Sequence, residues 1–319
     1  MTDLAVDLVF QLLQMTLVIG LAPLLTGLVR VVKARLQRRR GPSLLQPYRD
    51  LARLARKEAI VADSASWLFR IAPYIVFAAT WTAAALIPTF ATGLLFSWSA
   101  DLIAIVALLG LARFFLALAG LDVGTSFGGL GASREAMFAS LAEPAMIVIV
   151  FSLALIAGST QLSTVAAAMT AGVGLRVTLG MALIALVIVA VAENGRIPVD
   201  NPATHLELTM VHEAMILEYS GRHLAVIELA SMLKLLLYVS LIICVFAPWG
   251  AAIADAGIGD RLAGAAFYVA KLGVAGALLG VFETCVAKMR VFRAPDFIGA
   301  ALMLGFLGAL LLFVSRTLK

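Results

Sequence analysis

Apolar residues in this chain fall into long blocks separated by short polar stretches. Eight blocks approach the about 20 residues that an α-helix needs to cross a bilayer. They run near 4–29, 70–91, 99–121, 136–158, 176–193, 224–248, 264–284 and 297–315. The pattern predicts an all-α integral membrane protein, a single polytopic membrane domain over 1–319 with about eight transmembrane helices. The stretch 158–174, rich in Ala, Thr and Gly, leaves the edges of the fourth and fifth spans open. Composition agrees: 62% of residues are hydrophobic and 13% charged, against about 25% charged in soluble domains.

The polar stretches set the expected topology. Seventeen of the 24 Lys and Arg fall in the loops at 30–70, 122–135, 194–223 and 285–296, four fall in the other loops or tails, and Arg113, Lys234 and Lys271 lie inside spans. The positive-inside rule puts the first group in the cytoplasm and both termini on the periplasmic or outer side. The net charge of +5 then points to anionic headgroups or a docked partner, not to nucleic acid. The first apolar stretch is too long for a secretory signal and begins with Asp3 and Asp7, so it is expected to stay in the mature chain. Gly41-Pro42 is expected to end the first helix. A short basic amphipathic helix follows within 44–60, where Leu44, Tyr48, Leu51 and Ala55 oppose Arg49, Arg53, Arg56 and Lys57.

Six ionisable residues stand in or beside spans: Arg113, Glu143, Glu228, Lys234, Lys271 and Glu283. A charge at a helix centre costs about 2.5–3.5 kcal/mol on insertion scales, so these side chains are expected to face the bundle interior, pair, or line water. One reading is static pairing, such as Glu228 or Glu283 with Lys234 or Lys271. The other is a hydrated charged path. All three histidines and six of the nineteen acidic residues crowd between Glu193 and Glu228. Asn201-Pro202 can start a helix over about 203–220, with His205, Thr209 and His212 on one face and Glu207 and Glu218 on another. His205 and His212 would lie about 10.5 Å apart along it, too far for one metal ion, and His212-Glu213 lacks a second histidine at Ile216. No metal site is expected. Cys244 and Cys285 are read as buried small hydrophobes. With no phosphate loop, nucleophile elbow or cysteine cluster, nothing points to catalysis by this chain alone.

Several longer motifs occur in order: Arg35-Leu36-Gln37-Arg38-Arg39-Arg40-Gly41-Pro42, Ser133-Arg134-Glu135-Ala136 leading to Glu143, Glu193 to Asp200 around Arg196-Ile197-Pro198, Glu218-Tyr219-Ser220-Gly221, and Lys288-Met289-Arg290 to Pro295-Asp296. On these the chain resembles the complex I subunit 1 family over almost its whole length, within it the branch found in membrane-bound group 4 [NiFe] hydrogenases. The resemblance implies a membrane subunit of the bacterial or archaeal plasma membrane that seats a hydrophilic electron-transfer arm and begins a chain of charges toward antiporter-like subunits. Arg35, Arg38, Arg39, Arg40, Arg134, Arg196, Asp200, His205, Arg290 and Arg293 are then the candidate arm interface. Glu143, Glu193, Glu207, Glu213, Glu218, Glu228, Lys234, Lys271 and Glu283 are the candidate proton path.

Quinone-reducing members of the family have a phenylalanine before the aspartate and a dense acidic cluster after it. Here Val199 precedes Asp200 and Asn201-Pro202-Ala203-Thr204-His205 follows. That departure favours the hydrogenase branch. The expectation is a non-catalytic anchor and proton-path subunit of an energy-converting [NiFe] hydrogenase or hydrogenlyase. It would hold no cofactor itself; the [NiFe] centre and iron-sulfur clusters would lie in partner subunits: the hydrogenase large and small subunits and an iron-sulfur protein. Two alternatives stand beside it: a quinone-site subunit of a proton-pumping NADH dehydrogenase, and a stand-alone transporter, which inverted repeats would mark.

Overall fold

The computed structural model describes residues 2–170, 177–200, 211–252, 256–289 and 293–317. Among these residues the long elements are α-helices. They are α1 (Thr2–Leu36), α2 (Gln46–Ala55), α3 (Trp67–Leu86), α4 (Leu102–Asp122), α5 (Ser126–Ala157), α6 (Leu162–Thr170), α7 (Val177–Glu193), α8 (His212–Ile216), α9 (Gly221–Phe246), α10 (Ile258–Cys285) and α11 (Ala294–Thr317). Seven of them, α1, α3, α4, α5, α9, α10 and α11, are long and apolar enough to cross a membrane. The remaining expected span appears as α7, whose described part has 17 residues. The chain is therefore a multi-pass membrane protein.

α9 forms the axis. Two thirds of its apolar window, 67%, is buried inside the protein, against 22–50% for the other spans. It packs against α1, α2, α3, α6, α7 and α10, while α11 closes the outside of α5 and α7. The core follows from that arrangement: Leu233, Leu236, Leu237 and Leu241 of α9 meet Val18, Ala22 and Leu25 of α1 and Val189 of α7 in one apolar cluster.

Several boundaries differ from the hydrophobic pattern, each for a local reason. α1 ends before Gly41-Pro42: Arg38 takes a left-handed backbone (φ 56°), with Arg39 N donating to Ala34 O and Arg38 N to Arg35 O, which is a Schellman closure. The stretch 122–135, expected as a loop, is helical from Ser126, because Thr125 caps the helix by accepting from Gly128 N. The Ser133-Arg134-Glu135 motif therefore lies on the same helix as Glu143. The stretch 158–174 contains α6. Of the helix expected over 203–220, residues 203–210 lie outside the described residues and the rest holds only α8. Cys244 is buried, but Cys285 is exposed at the end of α10, where that helix leaves its neighbours.

The amphipathic helix exists as α2 and lies against α1 and α9. Its following loop is stapled to the start of α9. Ser220 Oγ accepts from Ile60 N (2.8 Å) and donates to Ile60 O (2.9 Å), and Tyr219 stacks on Phe69 with centroids 3.8 Å apart while its hydroxyl donates to Phe69 O. Burial raises the Tyr219 phenol above its ordinary pKa, which keeps that donor protonated. Gly221 has φ 53°, and a Cβ there would lie 2.2 Å from Glu58 O, so only glycine fits.

Candidate functional site: a buried charge chain through the bundle

Arg113, from the middle of α4, is 7% exposed and is surrounded by carboxylates from two other helices. Its Nε lies 3.3 Å from Glu135 and its Nη1 3.3 Å from Glu143, both on α5. Its Nη2 contacts Glu193, at the last residue of α7. Glu193, 2% exposed, also pairs with Lys234 of α9 at 2.8 Å. Five charged groups from four helices thus form one cluster of three carboxylates and two cations. Such groups are tolerated inside a bundle because each charge meets an opposite one.

Beside the cluster is a cavity of 60 Å³ lined by Arg113, Glu135, Glu193, Asp200, His212 and Lys234 among others. Asn194, Gly195, Asp200, His212 and Ser231 form the wall between this cavity and a larger one of 510 Å³. The larger vestibule carries Arg30, Lys33, Arg39, Arg40 and Arg196 together with Asp200, Glu213 and Glu228. At its edge Glu283 of α10 pairs with Lys33 of α1 (2.7 Å) and with Arg196 (3.2 Å). Burial lowers the pKa of the Arg196 guanidinium, and Glu283 pulls it back up. The loop that carries Arg196 is fixed from below. Asp200 pairs with Lys288 (3.2 Å) and accepts from Val211 N, and Met289 N donates to Pro198 O across the cis Ile197-Pro198 bond.

The candidate residues divide accordingly. Glu143, Glu193 and Lys234 meet at Arg113; Glu213 and Glu228 line the vestibule; Glu283 stands at its edge. Glu218 is exposed at the surface. Lys271 is elsewhere: its ammonium donates to Ala247 O (2.7 Å) and to Trp249 O at the end of α9. It caps that helix and complements its dipole. Along α10 it is about 18 Å from Glu283. The static pairs of Glu228 or Glu283 with Lys234 or Lys271 are not formed, since Glu193 takes Lys234, Lys33 and Arg196 take Glu283, and backbone carbonyls take Lys271.

Of the interface candidates, Arg35, Arg38, Arg39, Arg40 and Arg293 are exposed, Arg134 is half-buried on α5, and Arg196 and Asp200 belong to the fixed loop. His205, Glu207 and Arg290 lie outside the described residues. His223 is buried edge-on against Tyr74, a packing role. Arg113, one of the six ionisable residues in or beside spans, is the hub of the cluster although it is not among the proton-path candidates. Three more residues central to the geometry are not among the candidates from sequence: Glu135 and Lys288, which stand inside the quoted motifs, and Lys33, which stands in the basic stretch before Gly41-Pro42.

The order of these groups along the chain is that of a known lineage. The NADH dehydrogenase family model matches residues 9–314. The chain belongs to the complex I subunit 1 family. Within that family it is 34% identical to formate hydrogenlyase subunit 4 of Escherichia coli K12, over 97% of this chain and 98% of that protein. Hydrogenase-4 component C of the same organism is 37% identical over 76% of each chain, and NADH-quinone oxidoreductase subunit 8 of Rhodothermus marinus is 31% identical over 67% of each. A solved chain of the membrane-bound sulfane sulfur reductase, an archaeal respiratory membrane complex, superposes with a TM-score of 0.81 over 96% of this chain and 99% of that one, at 19% identity. That likeness shows a shared fold. The seven apolar helices, together with the likeness to the two Escherichia coli proteins, make the chain a multi-pass protein of a prokaryotic plasma membrane.

Proposed function

We infer that this chain is the membrane anchor and proton-path subunit of an energy-converting membrane-bound [NiFe] hydrogenase or hydrogenlyase. The observation that carries the reading is the continuity of ionisable groups from the vestibule through Asp200 and His212 to the Arg113 cluster and Glu143. Similarity to formate hydrogenlyase subunit 4 over nearly both whole chains supports the choice of complex. The exposed Arg35, Arg38, Arg39, Arg40 and Arg293 supply a basic rim on which a hydrophilic arm docks from the cytoplasm, and Arg134, Arg196 and Asp200 support it; His205 and Arg290 join that interface in this reading on their place in the sequence alone. Electron transfer, nickel, iron and iron-sulfur clusters belong to partner chains, the hydrogenase large and small subunits and an iron-sulfur protein. Antiporter-like membrane subunits receive the charge.

The mechanism is electrostatic. The Arg113 cluster sets three carboxylates against two cations, so a field shifts the balance among its ion pairs. A charge change in the docked arm acts first on the vestibule, where Arg30, Lys33 and Arg196 face Asp200, Glu213 and Glu228. Low-dielectric walls carry that change to Glu193 with little screening. Glu193 then divides its two oxygens differently between Arg113 and Lys234, and the pairing of Arg113 with Glu143 follows.

The test is made on the assembled complex. Glu193→Gln and Glu143→Gln are expected to leave hydrogen evolution in detergent largely intact and to lower proton translocation in vesicles by at least about tenfold, about 1.4 kcal/mol of coupling. Unchanged translocation in both variants contradicts the reading. A quinone-site role is the second reading, favoured by the 510 Å³ vestibule beside Arg196. Nickel without flavin in the gently purified complex supports the first reading, and flavin with bound quinone supports the second.

A further inference from the structure

Arg196 belongs to the walls of two spaces. One is the vestibule; the other is a groove of 260 Å³ between α7 and α10, floored by α9. The lining of the groove is apolar, with Tyr238 in its floor, except at one end, where Asn194 and Arg196 stand. The gap exists because α10 packs chiefly on α1. Val187, Leu278 and Phe282 on its rims are exposed, so the groove opens sideways toward the bilayer. From Ala275 to Phe282 it runs about 10.5 Å along α10. α7 finishes at Glu193 and α10 at Cys285, so Arg196 stands where both helices end, on the side that the positive-inside rule gives to the cytoplasm. Two cations meet one carboxylate there: Glu283 is shared by Lys33 (2.7 Å) and Arg196 (3.2 Å). Among the described residues Glu283 is the one hydrogen-bond partner of the Arg196 side chain, which leaves most of the guanidinium's donors open.

We propose that this groove binds an anionic phospholipid of the cytoplasmic leaflet, with an acyl chain between α7 and α10 and its phosphate on Arg196. The proposal goes beyond the anchor and proton-path reading and does not depend on it. The layout of the groove selects the occupant, since a lining that is apolar along its length and cationic at its end matches an amphiphile with an anionic head. An apolar helix of another protein fills the gap but leaves the Arg196 donors unpaired. A quinone ring accepts hydrogen bonds but brings no charge. A phosphodiester does both: its negative charge offsets the excess cation of the Lys33, Glu283 and Arg196 group, and its paired oxygens match the guanidinium fork. Basic pockets between transmembrane helices on the cytoplasmic side take anionic headgroups in this way. The site is also preformed. The Asp200 pair with Lys288 and the bond from Met289 N to Pro198 O hold the Arg196 loop in place, so little ordering is needed when the lipid enters.

The experiment reconstitutes the assembled complex in phosphatidylcholine vesicles doped with a lipid that carries a photoreactive diazirine in its acyl chain, either phosphatidylglycerol or phosphatidylcholine. After irradiation, adducts on the groove peptides at 187–191 and 275–282 are measured by mass spectrometry against those on Phe306 and Leu310, which are exposed on α11 and report bulk lipid. The expected result is a groove preference for phosphatidylglycerol of at least about fivefold, the effect of one basic side chain on an anionic headgroup. Arg196→Gln removes that preference. Ala275→Phe, which fills the groove and leaves every cation in place, lowers the phosphatidylglycerol adducts there to the bulk level, and it carries the test if Arg196→Gln fails to assemble. Equal labelling of the groove by the two lipids, the mark of ordinary boundary lipid, overturns the proposal. So does the absence of groove adducts, or a preference that Ala275→Phe leaves unchanged. Displacement of the labelled phosphatidylglycerol by an equal concentration of a short-chain quinone overturns it as well. No arm of the experiment measures hydrogen or ion movement, so its failure is distinguishable from failure of the proton-path reading.

Discussion

Arg113 carries one positive charge and faces three carboxylates, so its removal exposes more than its own loss. Taking away one partner of a buried ion pair costs about 3–5 kcal/mol because the remaining charges stay buried and uncompensated. Arg113→Met is therefore expected to lower the thermal midpoint of the detergent-solubilised protein sharply, while Lys271→Met, which removes only a helix cap, costs about 1 kcal/mol. Thermal unfolding of the two purified variants checks the order; equal midpoints count against Arg113 as the hub. Arg38 offers a complementary test, because its left-handed backbone at φ 56° is what glycine adopts freely. Arg38→Gly is expected to stabilise the fold by about 1 kcal/mol and at the same time weaken arm retention at raised salt. A co-purification series against salt reads the second effect separately from the first. Retention unchanged at every salt concentration removes Arg38 from the docking rim.

At the scale of elements, α9 organises the molecule and its first residue is the most constrained. Gly221→Ala forces a Cβ against Glu58 O in a backbone region that disfavours any side chain. The expected outcome is release of the loop between α2 and α3, seen as new proteolysis near Lys57 and Glu58, and loss of arm docking; Ser220→Ala, which removes one side-chain hydroxyl, shows a weaker form of both. The elements themselves are largely legible in the sequence, because a window of about 20 apolar residues has few other fates. The departures have physical causes. The start of α5 is hidden because Ser133-Arg134-Glu135 reads as loop where it is in fact helix, with Glu135 turned toward Arg113. Gly41-Pro42 marks the end of α1 too late, because a left-handed arginine has no sequence signature as plain as glycine.

At the scale of the whole molecule, the charges in the spans are visible one by one in the sequence but their pairing is not. Arg113 and Glu193 are eighty residues apart in sequence, and only the packing of α4 on α5, α5 on α7 and α7 on α9 brings them together. Lys271 illustrates the reverse: an intramembrane lysine that suggests a path serves in the structure to close the end of α9. Spacing argues against a metal at His205 and His212; His212 instead stands in the wall between the two cavities. The connected groups run from the vestibule to Glu143, and Lys271 stands apart from them. Proton translocation by the assembled complex in sealed vesicles, measured for Glu193→Gln beside Lys271→Met, tests that division most directly. The account predicts that Glu193→Gln loses translocation at least about tenfold while Lys271→Met retains it; full translocation in Glu193→Gln contradicts the account.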